Sequence, residues 1–280
     1  MHDETELAGP VAAAVAGIPW VDQSVGILRP LSMLRRAGRA LDPLCRRWGV
    51  DLGSYAGLFR HLYLDVCPPR LQNPEITEIE VARPVHNLSV AEATSEPPWL
   101  GSLPTRPTVY VSLGTIFNRD PGVFGAILEG VRSEPVNVIA TIGADADPAS
   151  LGRQPENVRI EGFIPQSLLL PHCDVVVNQG GTAILDILGH GLPLLVLPRG
   201  ANQFHNAEAC VASGAARALM PGDVTAESVR REVHTLLTQP EFRSAAGAVA
   251  GELAAMPGPA DGVRLVEELV EQHQVLGSGR

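Results

Sequence analysis

Short apolar strands alternate with helical segments over residues 108–220 of this 280-residue chain. Runs of nearly unbroken Val, Ile and Leu that alternate with helices are typical of a parallel sheet covered by helices on both faces. The sequence therefore predicts an α/β fold with a doubly wound, Rossmann-like sheet. The predicted strands are 108–114, 136–143, 158–165, 173–179, 192–198 and 215–220, and the predicted helices are 121–131, 182–191, 206–214, 224–238, 241–256 and 260–275.

The residues before this sheet predict a separate region. Leu7–Ala16 has helical composition and ends at Gly17, a short strand (IPWV) follows, and residues 29–65 are predicted to be mostly helical. Residues 84–107 are rich in Pro and Ser and lack periodicity, which is typical of an interdomain linker. We therefore expect a partial N-terminal domain over 1–83, a main domain over 108–258, and a last helix within 259–280 that packs back on the N-terminal domain.

The composition argues against several function classes. The net charge of −10 disfavours a protein that grips nucleic acid or binds an anionic membrane surface. The sequence contains no run of about 18 apolar residues, so we expect no membrane span. The four cysteines match no metal-binding spacing, and no other ligand cluster suggests a metal. Buried, reduced thiols in a cytoplasmic protein are the expectation.

Four loops follow predicted strands at their carboxyl ends, where a doubly wound sheet binds its ligand. All four are small, polar or Gly-bearing, which suits a ligand of several parts. The loops are Ser112–Thr115, Phe163–Gln166, Asn178–Thr182 and Arg199–Gln203.

The third loop breaks the strand CDVVVN on Gly180 and Gly181. Glycines adopt positive φ and let another group approach the backbone closely. Thr182 is placed to cap the following helix, whose first amides would attract an anion such as a diphosphate. A plain strand-to-helix turn is the alternative. Asp186, one turn later, either complements the helix dipole or accepts two adjacent sugar hydroxyls.

Two common nucleotide-binding patterns are absent from the sequence. No G-x-G-x-x-G follows the first strand of the main domain, and no G-x-x-x-x-G-K-[ST] occurs. A nicotinamide-dependent enzyme and an ATPase are therefore poorly supported.

A family resemblance is carried by GFIPQSLLLPHCDVVVNQGG (162–181), GHGLPLLVLPRGANQFHNA (189–207) and VYVSLGT (109–115). These segments resemble the donor-binding region of the family 1 glycosyltransferases with the GT-B fold, above all the bacterial branch that glycosylates natural products. That branch shows W-x-P-Q, H-G-G-x-G-T-x-x-E, G-V-P and D-Q-x-x-N-A in this order. The resemblance covers essentially the whole chain and is most specific over 108–214.

The resemblance implies a nucleotide-diphosphate sugar as co-substrate, with no further cofactor and no metal. It places Asp186 where the family has its ribose-binding Glu, and Asn202 with Gln203 where the family's Asp-Gln pair touches the donor sugar. The implied diphosphate contacts are Ser112, Gly114, Thr115, Gln179, Gly180, Gly181 and Thr182. The implied nucleobase contacts are Phe163, Ile164, Pro165 and Gln166.

The chain departs from the family pattern at three points of this site. Gln179, or Asn178 if the gap lies later, replaces the family's His, and neither side chain carries a positive charge. The loop that contains Gln179 is one residue short. Asn202 replaces an Asp, and His205 beside it is either a substitute or an exposed histidine at a helix start.

The front of the chain resembles the middle of the family's N-terminal domain, so the family's first strands and histidine base lack a counterpart. Either the start codon is misassigned, or the short chain is real and lacks the standard base. Spacing places none of His2, His61 and His86 over the donor loops. No catalytic residue is therefore assigned.

The resemblance implies a hexosyltransferase of antibiotic or other secondary metabolism. It would move a sugar, with inversion, from the nucleotide-sugar donor to a hydroxyl of a small, natural-product-like acceptor. A homodimer is left open. Two alternatives also stay open: a non-catalytic nucleotide-sugar-binding or partner protein, and a nucleotide-sugar epimerase of GT-B architecture.

Overall fold

A computed structural model describes residues 1–86, 95–114, 121–132 and 134–277. The chain divides into two compact units. The described residues of Met1–Leu88 and Glu252–Arg280 form the first unit, and those of Ser89–Gly251 form the second.

The described residues form ten strands and nine α-helices, joined by turns and short 3₁₀ segments. The strands are β1 (His2–Asp3), β2 (Val21–Gln23), β3 (Leu62–Asp65), β4 (Ala82–Pro84), β5 (Thr108–Ser112), β6 (Asn137–Thr141), β7 (Val158–Glu161), β8 (Val175–Asn178), β9 (Leu194–Val196) and β10 (Ala216–Ala218). The helices are α1 (Ala8–Ala16), α2 (Leu31–Trp48), α3 (Pro121–Arg132), α4 (Gln166–Leu169), α5 (Ile184–Gly189), α6 (Gln203–Ala212), α7 (Ala226–Thr238), α8 (Pro240–Ala255) and α9 (Pro259–Gly277).

The first unit contains a parallel sheet in the order β1-β2-β3-β4. Because successive side chains of a strand point to opposite faces, β3 contributes to two separate cores. Tyr63 packs in a cluster with Leu31 and Leu34 of α2. Leu62 and Leu64 belong to a cluster on which α9 packs through Leu265, Val266 and Leu269. Helices therefore cover both faces of this small sheet.

One helix prediction in this unit is confirmed and another is partly wrong. The predicted helix over 7–16 is α1, which ends at Gly17 with a φ of 67°. The predicted helical stretch over 29–65 is helical only as far as Trp48, because Gly49 takes a φ of 66° and ends α2. The stretch then turns and ends in β3, whose four residues are all buried. Tertiary burial, not the local helical pattern, decides the conformation of that strand.

The second unit contains a six-stranded parallel sheet in the order β10-β9-β8-β5-β6-β7. The chain builds β5, β6 and β7 toward one edge and then crosses over to build β8, β9 and β10 toward the other. The direction of building therefore reverses between β5 and β8, which are neighbours with Ser112 beside Asn178. Such a reversal leaves a crevice outside the carboxyl ends of the strands, and ligands bind there in open α/β sheets.

The core of the second unit explains the apolar strand sequences. Val109, Val111, Val175 and Val177 are each 0% exposed and pack in one cluster with residues of α3 and α7. The predicted parallel α/β sheet is confirmed, with each observed strand lying inside its predicted range. Part of the predicted linker, 87–94, lies outside the described residues; the described part holds the end of β4 and a 3₁₀ turn over Leu100–Ser102.

Candidate functional site

A cavity of about 430 Å³ lies in the second unit at the carboxyl ends of the strands. Loops from both sides of the reversal between β5 and β8 line it, which is where a doubly wound sheet binds its ligand. The lining residues are Tyr110, Ser112, Gly114, Thr141, Gly143, Gly162, Phe163, Ile164, Gln166, Asn178, Gln179, Gly181, Thr182, Ala183, Ala201, Asn202 and Gln203.

Two glycines hold the side chain of Gln179 between them. Gly114 has a φ of 72°, and a Cβ there would collide with the Gln179 amide nitrogen. A Cβ on Gly181 would lie 3.0 Å from the same nitrogen. Gln179 is 9% exposed, and its Oε1 has no hydrogen-bond partner among the described residues. The close approach of these loops therefore requires glycine at 114, and it leaves the Gln179 Oε1 acceptor unsatisfied in the cavity wall.

The Gly180 backbone is clamped by two buried asparagines. Its N–H donates to Oδ1 of Asn178 at 2.6 Å, and its carbonyl accepts from Nδ2 of Asn206 at 2.8 Å. Its φ of 86° leaves a Cβ only 2.8 Å from Cγ1 of Val196. Gly180 is not among the lining residues, so it shapes the loop with backbone groups that are already engaged.

The segment after β9 is held by Gln203. Its Oε1 accepts from the backbone N–H of Arg199 at 2.8 Å and of Gly200 at 3.1 Å. Gln203 is 4% exposed, and Ala201 in the same turn has a φ of 52°. The carbonyl end of Gln203 thus fixes the loop, and its amide NH₂ is the end left for a ligand in the cavity.

The opposite side of the cavity is formed by the ends of β6 and β7. The Tyr110 hydroxyl and Thr141 Oγ1 lie 2.8 Å apart, and burial raises the pKa of Tyr110. Gly143 donates its N–H to the Gly162 carbonyl at 2.8 Å, which ties the two loops together. Phe163 follows and is 59% exposed, an unusual state for a phenylalanine beside a cavity. Its ring offers an apolar platform at the mouth of the site.

The described lining carries no formal charge. It contains no Asp, Glu, Lys, Arg or His, and its one titratable residue is Tyr110. Any anion in this cavity would therefore meet neutral N–H and O–H donors. Among the described residues, no group of three His, Cys, Asp or Glu side chains is arranged to hold a metal ion.

Ten of the predicted site residues line this one cavity, and three other described ones do not. Asp186 lies half-buried on α5, outside the lining, and Pro165 precedes α4 without reaching the lining. Gly180 lies behind the wall, and Thr115 lies outside the described residues. The residues brought together are Ser112, Gly114, Phe163, Ile164, Gln166, Gln179, Gly181, Thr182, Asn202 and Gln203.

The expected helix cap at Thr182 is wrong. The helix begins at Ile184, and its N-cap residue is Ala183, without a capping side chain. The carbonyls of Gly181 and Thr182 accept from the first two amides of α5, at 3.2 Å and 3.3 Å, so a tight turn precedes the helix. Thr182 is exposed instead and lines the cavity.

Sequence reasoning missed the loop after β6 and the tyrosine of β5. Thr141 and Gly143 end the second predicted strand of the main domain, so the same carboxyl-end argument could have found them. Tyr110 carried no such signal, because it lies inside an apolar strand.

The histidines considered as bases all lie in the first unit. His2 is half-buried beside Asp22, with 2.6 Å between Nε2 and Oδ1. The His61 ring lies edge-on to Trp20, with 4.3 Å between ring centroids, and burial lowers the pKa of His61. His86 lines a separate apolar cavity of about 410 Å³ against α9.

The comparison with protein families decides the classification. Residues 126–269, about half of the chain, match the family described as erythromycin biosynthesis protein CIII-like, C-terminal domain. The chain belongs to this EryCIII-like family. The match begins inside α3 and includes the loops after β6, β7, β8 and β9.

Relatives of this EryCIII-like chain are sugar transferases by name. The chain is 36% identical to demethyllactenocin mycarosyltransferase of Streptomyces fradiae over 166 residues, which are 59% of this chain and 36% of the relative. It is 32% identical to elloramycin glycosyltransferase ElmGT of Streptomyces olivaceus over 259 residues, 91% of this chain and 64% of the relative. The chain thus spans about a third to two thirds of the relatives' length.

A solved structure supports the fold of this EryCIII-like chain. The spinosyn rhamnosyltransferase SpnG is 27% identical, with a TM-score of 0.83 over 95% of this chain and 71% of that one. SpnG is also known complexed with thymidine diphosphate and with the spinosyn aglycone. The predicted GT-B fold of family 1 is confirmed. No helix among the described residues is long and apolar enough to cross a membrane.

Proposed function

We propose that the cavity binds the nucleotide diphosphate of a sugar donor, and that the chain belongs to an inverting glycosyltransferase acting on a small-molecule hydroxyl. The observation that carries this proposal is the convergence of five strand-end loops on one cavity at the sheet reversal. The named activities of the relatives and the thymidine diphosphate complex of SpnG support it.

Position in the cavity supports most of the roles that we propose for the site residues. Phe163 and Ile164 form an apolar wall suited to a nucleobase, with Gln166 beside them in the lining and Pro165 outside it. Gln203 has an amide NH₂ and Asn202 has a side-chain amide that can form hydrogen bonds with the hydroxyls of the donor sugar. Asp186 stays our proposed ribose ligand, although it lies outside the lining of this cavity. The proposed diphosphate contacts are Ser112, Gly114, Thr115, Gln179, Gly181 and Thr182, and Gly180 supports them by shaping the loop that carries Gln179 and Gly181.

The chemistry needs an activated acceptor and a stabilised leaving group. A base takes the acceptor hydroxyl proton, the oxygen forms a bond to the anomeric carbon, and the bond from that carbon to the diphosphate oxygen breaks. The electron pair leaves on the diphosphate, where fixed N–H and O–H donors stabilise the growing charge. The side chain of His2 is only 8% exposed and is paired with Asp22, so we do not propose it as the base.

A non-catalytic donor-binding protein is the second candidate. The observation that favours it is that none of the described histidines lines the cavity. The chain would then bind a nucleotide sugar without turning it over.

Calorimetry with the 280-residue chain tests the binding step. Thymidine and uridine diphosphates and their glucose conjugates are titrated separately, and binding of at least one pair is expected. If no nucleotide binds, both candidates fail.

A second assay separates the activities. Chromatography follows the donor with and without a panel of polyketide and phenolic acceptors. An acceptor-dependent product supports the transferase, while binding without turnover supports the non-catalytic protein. Conversion of the donor alone to an epimeric sugar would favour an epimerase instead.

A further inference from the structure

We infer that Gln179 makes the diphosphate subsite selective for the intact nucleotide sugar over the free nucleoside diphosphate. The inference rests on the proposed function and names the charge state of the ligand that the site prefers. It starts from Gln179, whose Oε1 is a buried acceptor without a hydrogen-bond partner among the described residues, and from the absence of formal charge on the described cavity lining.

The two ligands differ in charge at one phosphate. In a nucleotide sugar both phosphates are esterified, so each carries a single negative charge. In a free nucleoside diphosphate the terminal phosphate can lose a second proton, with a pKa of about 6. Above that pH the free diphosphate carries one more negative charge than the nucleotide sugar does.

The wall of the cavity is poorly suited to the extra charge. Gln179 stands between Gly114 and Gly181, at the meeting point of the loops after β5 and β8. Its amide nitrogen can donate a hydrogen bond to an oxyanion, but the side chain carries no positive charge and so adds no Coulomb attraction between ions. Neutral N–H and O–H donors in the cavity therefore stabilise the third negative charge of the free diphosphate less than water does. The two charges of the nucleotide sugar, one on each phosphate, are bound at a smaller cost.

No other described group facing Gln179 from the lining changes this balance. The β5 side contributes Tyr110, which burial keeps in the neutral form. The β8 side contributes Asn178, and its Oδ1 already accepts from Gly180. Asp186 on α5, Arg199 in the loop after β9 and His205 in the first turn of α6 are charged or titratable, and none of them is among the lining residues.

The consequence for turnover is weak inhibition by the nucleotide product. The transfer step converts a doubly charged diester into a diphosphate that gains a further charge above about pH 6. Gln179 therefore favours release of the product at neutral pH, where a cationic side chain at this place would hold it.

The test compares thymidine diphosphate with its glucose conjugate by calorimetry between pH 5.5 and 8.5. For the unchanged chain, we expect the affinity for the glucose conjugate to stay constant and that for the free diphosphate to fall about tenfold as pH rises. Free diphosphate binding that is constant, or tightens, over this range overturns the inference. Absence of binding by both ligands counts against the proposed function instead.

Variants at 179 supply the second arm. Gln179→His should bind free diphosphate more tightly than the unchanged chain at pH 5.5 and lose this advantage by pH 8.5. Gln179→Glu, which preserves the shape of the side chain, should weaken the binding of both ligands. The loss of affinity should be larger for the free diphosphate than for the glucose conjugate. Gln154→His, outside the cavity, is the control and should leave both profiles unchanged. Equal effects of both substitutions on the two ligands would show that Gln179 does not select between them.

Discussion

His2 and Asp22 face each other on neighbouring strands, with 2.6 Å between Nε2 and Oδ1. Asp22 is fully buried, and its other oxygen accepts the backbone N–H of Phe59 at 3.2 Å. Burial alone would lower the pKa of His2, but the Asp22 carboxylate, together with hydrogen bonds to the backbone at Asp3 and Glu6, outweighs burial and raises it. The pair therefore stabilises the first unit while His2 is protonated.

This pair predicts a pH dependence of stability. A histidine whose pKa is raised on folding stabilises fully below its unfolded value and stops stabilising as pH rises through the folded value. The melting temperature should fall as pH rises from about 6 to 8. His2→Gln should lower it by about 2–4 °C at pH 5.5 and by less at pH 8. Thermal melts of both proteins over this range check the prediction, and a pH-independent difference contradicts it.

Glu4 should show the same sign through a different cause. Burial raises its pKa, against the hydrogen bond from the Tyr63 hydroxyl at 2.8 Å and the charge of Arg29. A carboxyl group whose pKa rises on folding costs stability once pH exceeds its unfolded value, because the folded state holds the proton longer. Glu4→Gln keeps an acceptor for Tyr63 and removes the charge. We expect little change in melting temperature at pH 4 and an increase at pH 7.5, and a decrease at pH 7.5 contradicts this.

The sheet of the second unit could be predicted from sequence because each of its strands is marked locally. Val109 and Val111, like Val175 and Val177, lie in short apolar runs that end at polar or Gly-bearing loops. The strand β3 has no such local signal in the sequence, because its residues LYLD follow a long Arg-rich segment with a helical pattern. Positive φ at Ala56 and Phe59 makes the intervening turn, and neither residue type signals that conformation.

The candidate site could be predicted only in part for a related reason. The loops could be recognised from their position after the strands. The hydrogen bonds that each side chain forms could not be predicted. Gln203 uses its carbonyl oxygen to hold Arg199 and Gly200, and Asn178 uses its own for Gly180. These hydrogen bonds depend on how each loop folds back on itself, which residue spacing does not encode.

Gly114→Ala should weaken nucleotide binding more than tenfold. A left-handed backbone costs a side-chain-bearing residue about 1–2 kcal/mol, and the added Cβ also displaces the Gln179 amide. Gly101→Ala is the control, since nothing lies within 4 Å of a Cβ there. Calorimetric titration of both variants measures the effect. Normal binding by Gly114→Ala would mean that neither the backbone at 114 nor Gln179 matters to the ligand.

Phe163→Ala should weaken nucleotide binding without lowering stability. The ring is 59% exposed, so removing it exposes little new core. Stacking of an aromatic ring on a nucleobase contributes about 1–3 kcal/mol, which corresponds to a loss of about fivefold to a hundredfold in affinity. Phe204→Ala, at an exposed phenylalanine outside the lining, should bind normally. Equal losses in both variants would argue against a stacking role for Phe163.

Two substitutions at Gln203 separate its structural role from its ligand role. Gln203→Leu removes the acceptor for the amides of Arg199 and Gly200, and unsatisfied buried donors cost about 1–3 kcal/mol each. It should lower the melting temperature and binding together. Gln203→Glu keeps an oxygen for both amides but loses the NH₂ donor and adds a negative charge. Its melting temperature should stay close to that of the unchanged chain. Its affinity for the nucleotide sugar should fall at least tenfold, because the added negative charge repels the diphosphate. Thermal melts and calorimetry on both variants measure this, and normal binding by Gln203→Glu would leave Gln203 with the loop-holding role alone.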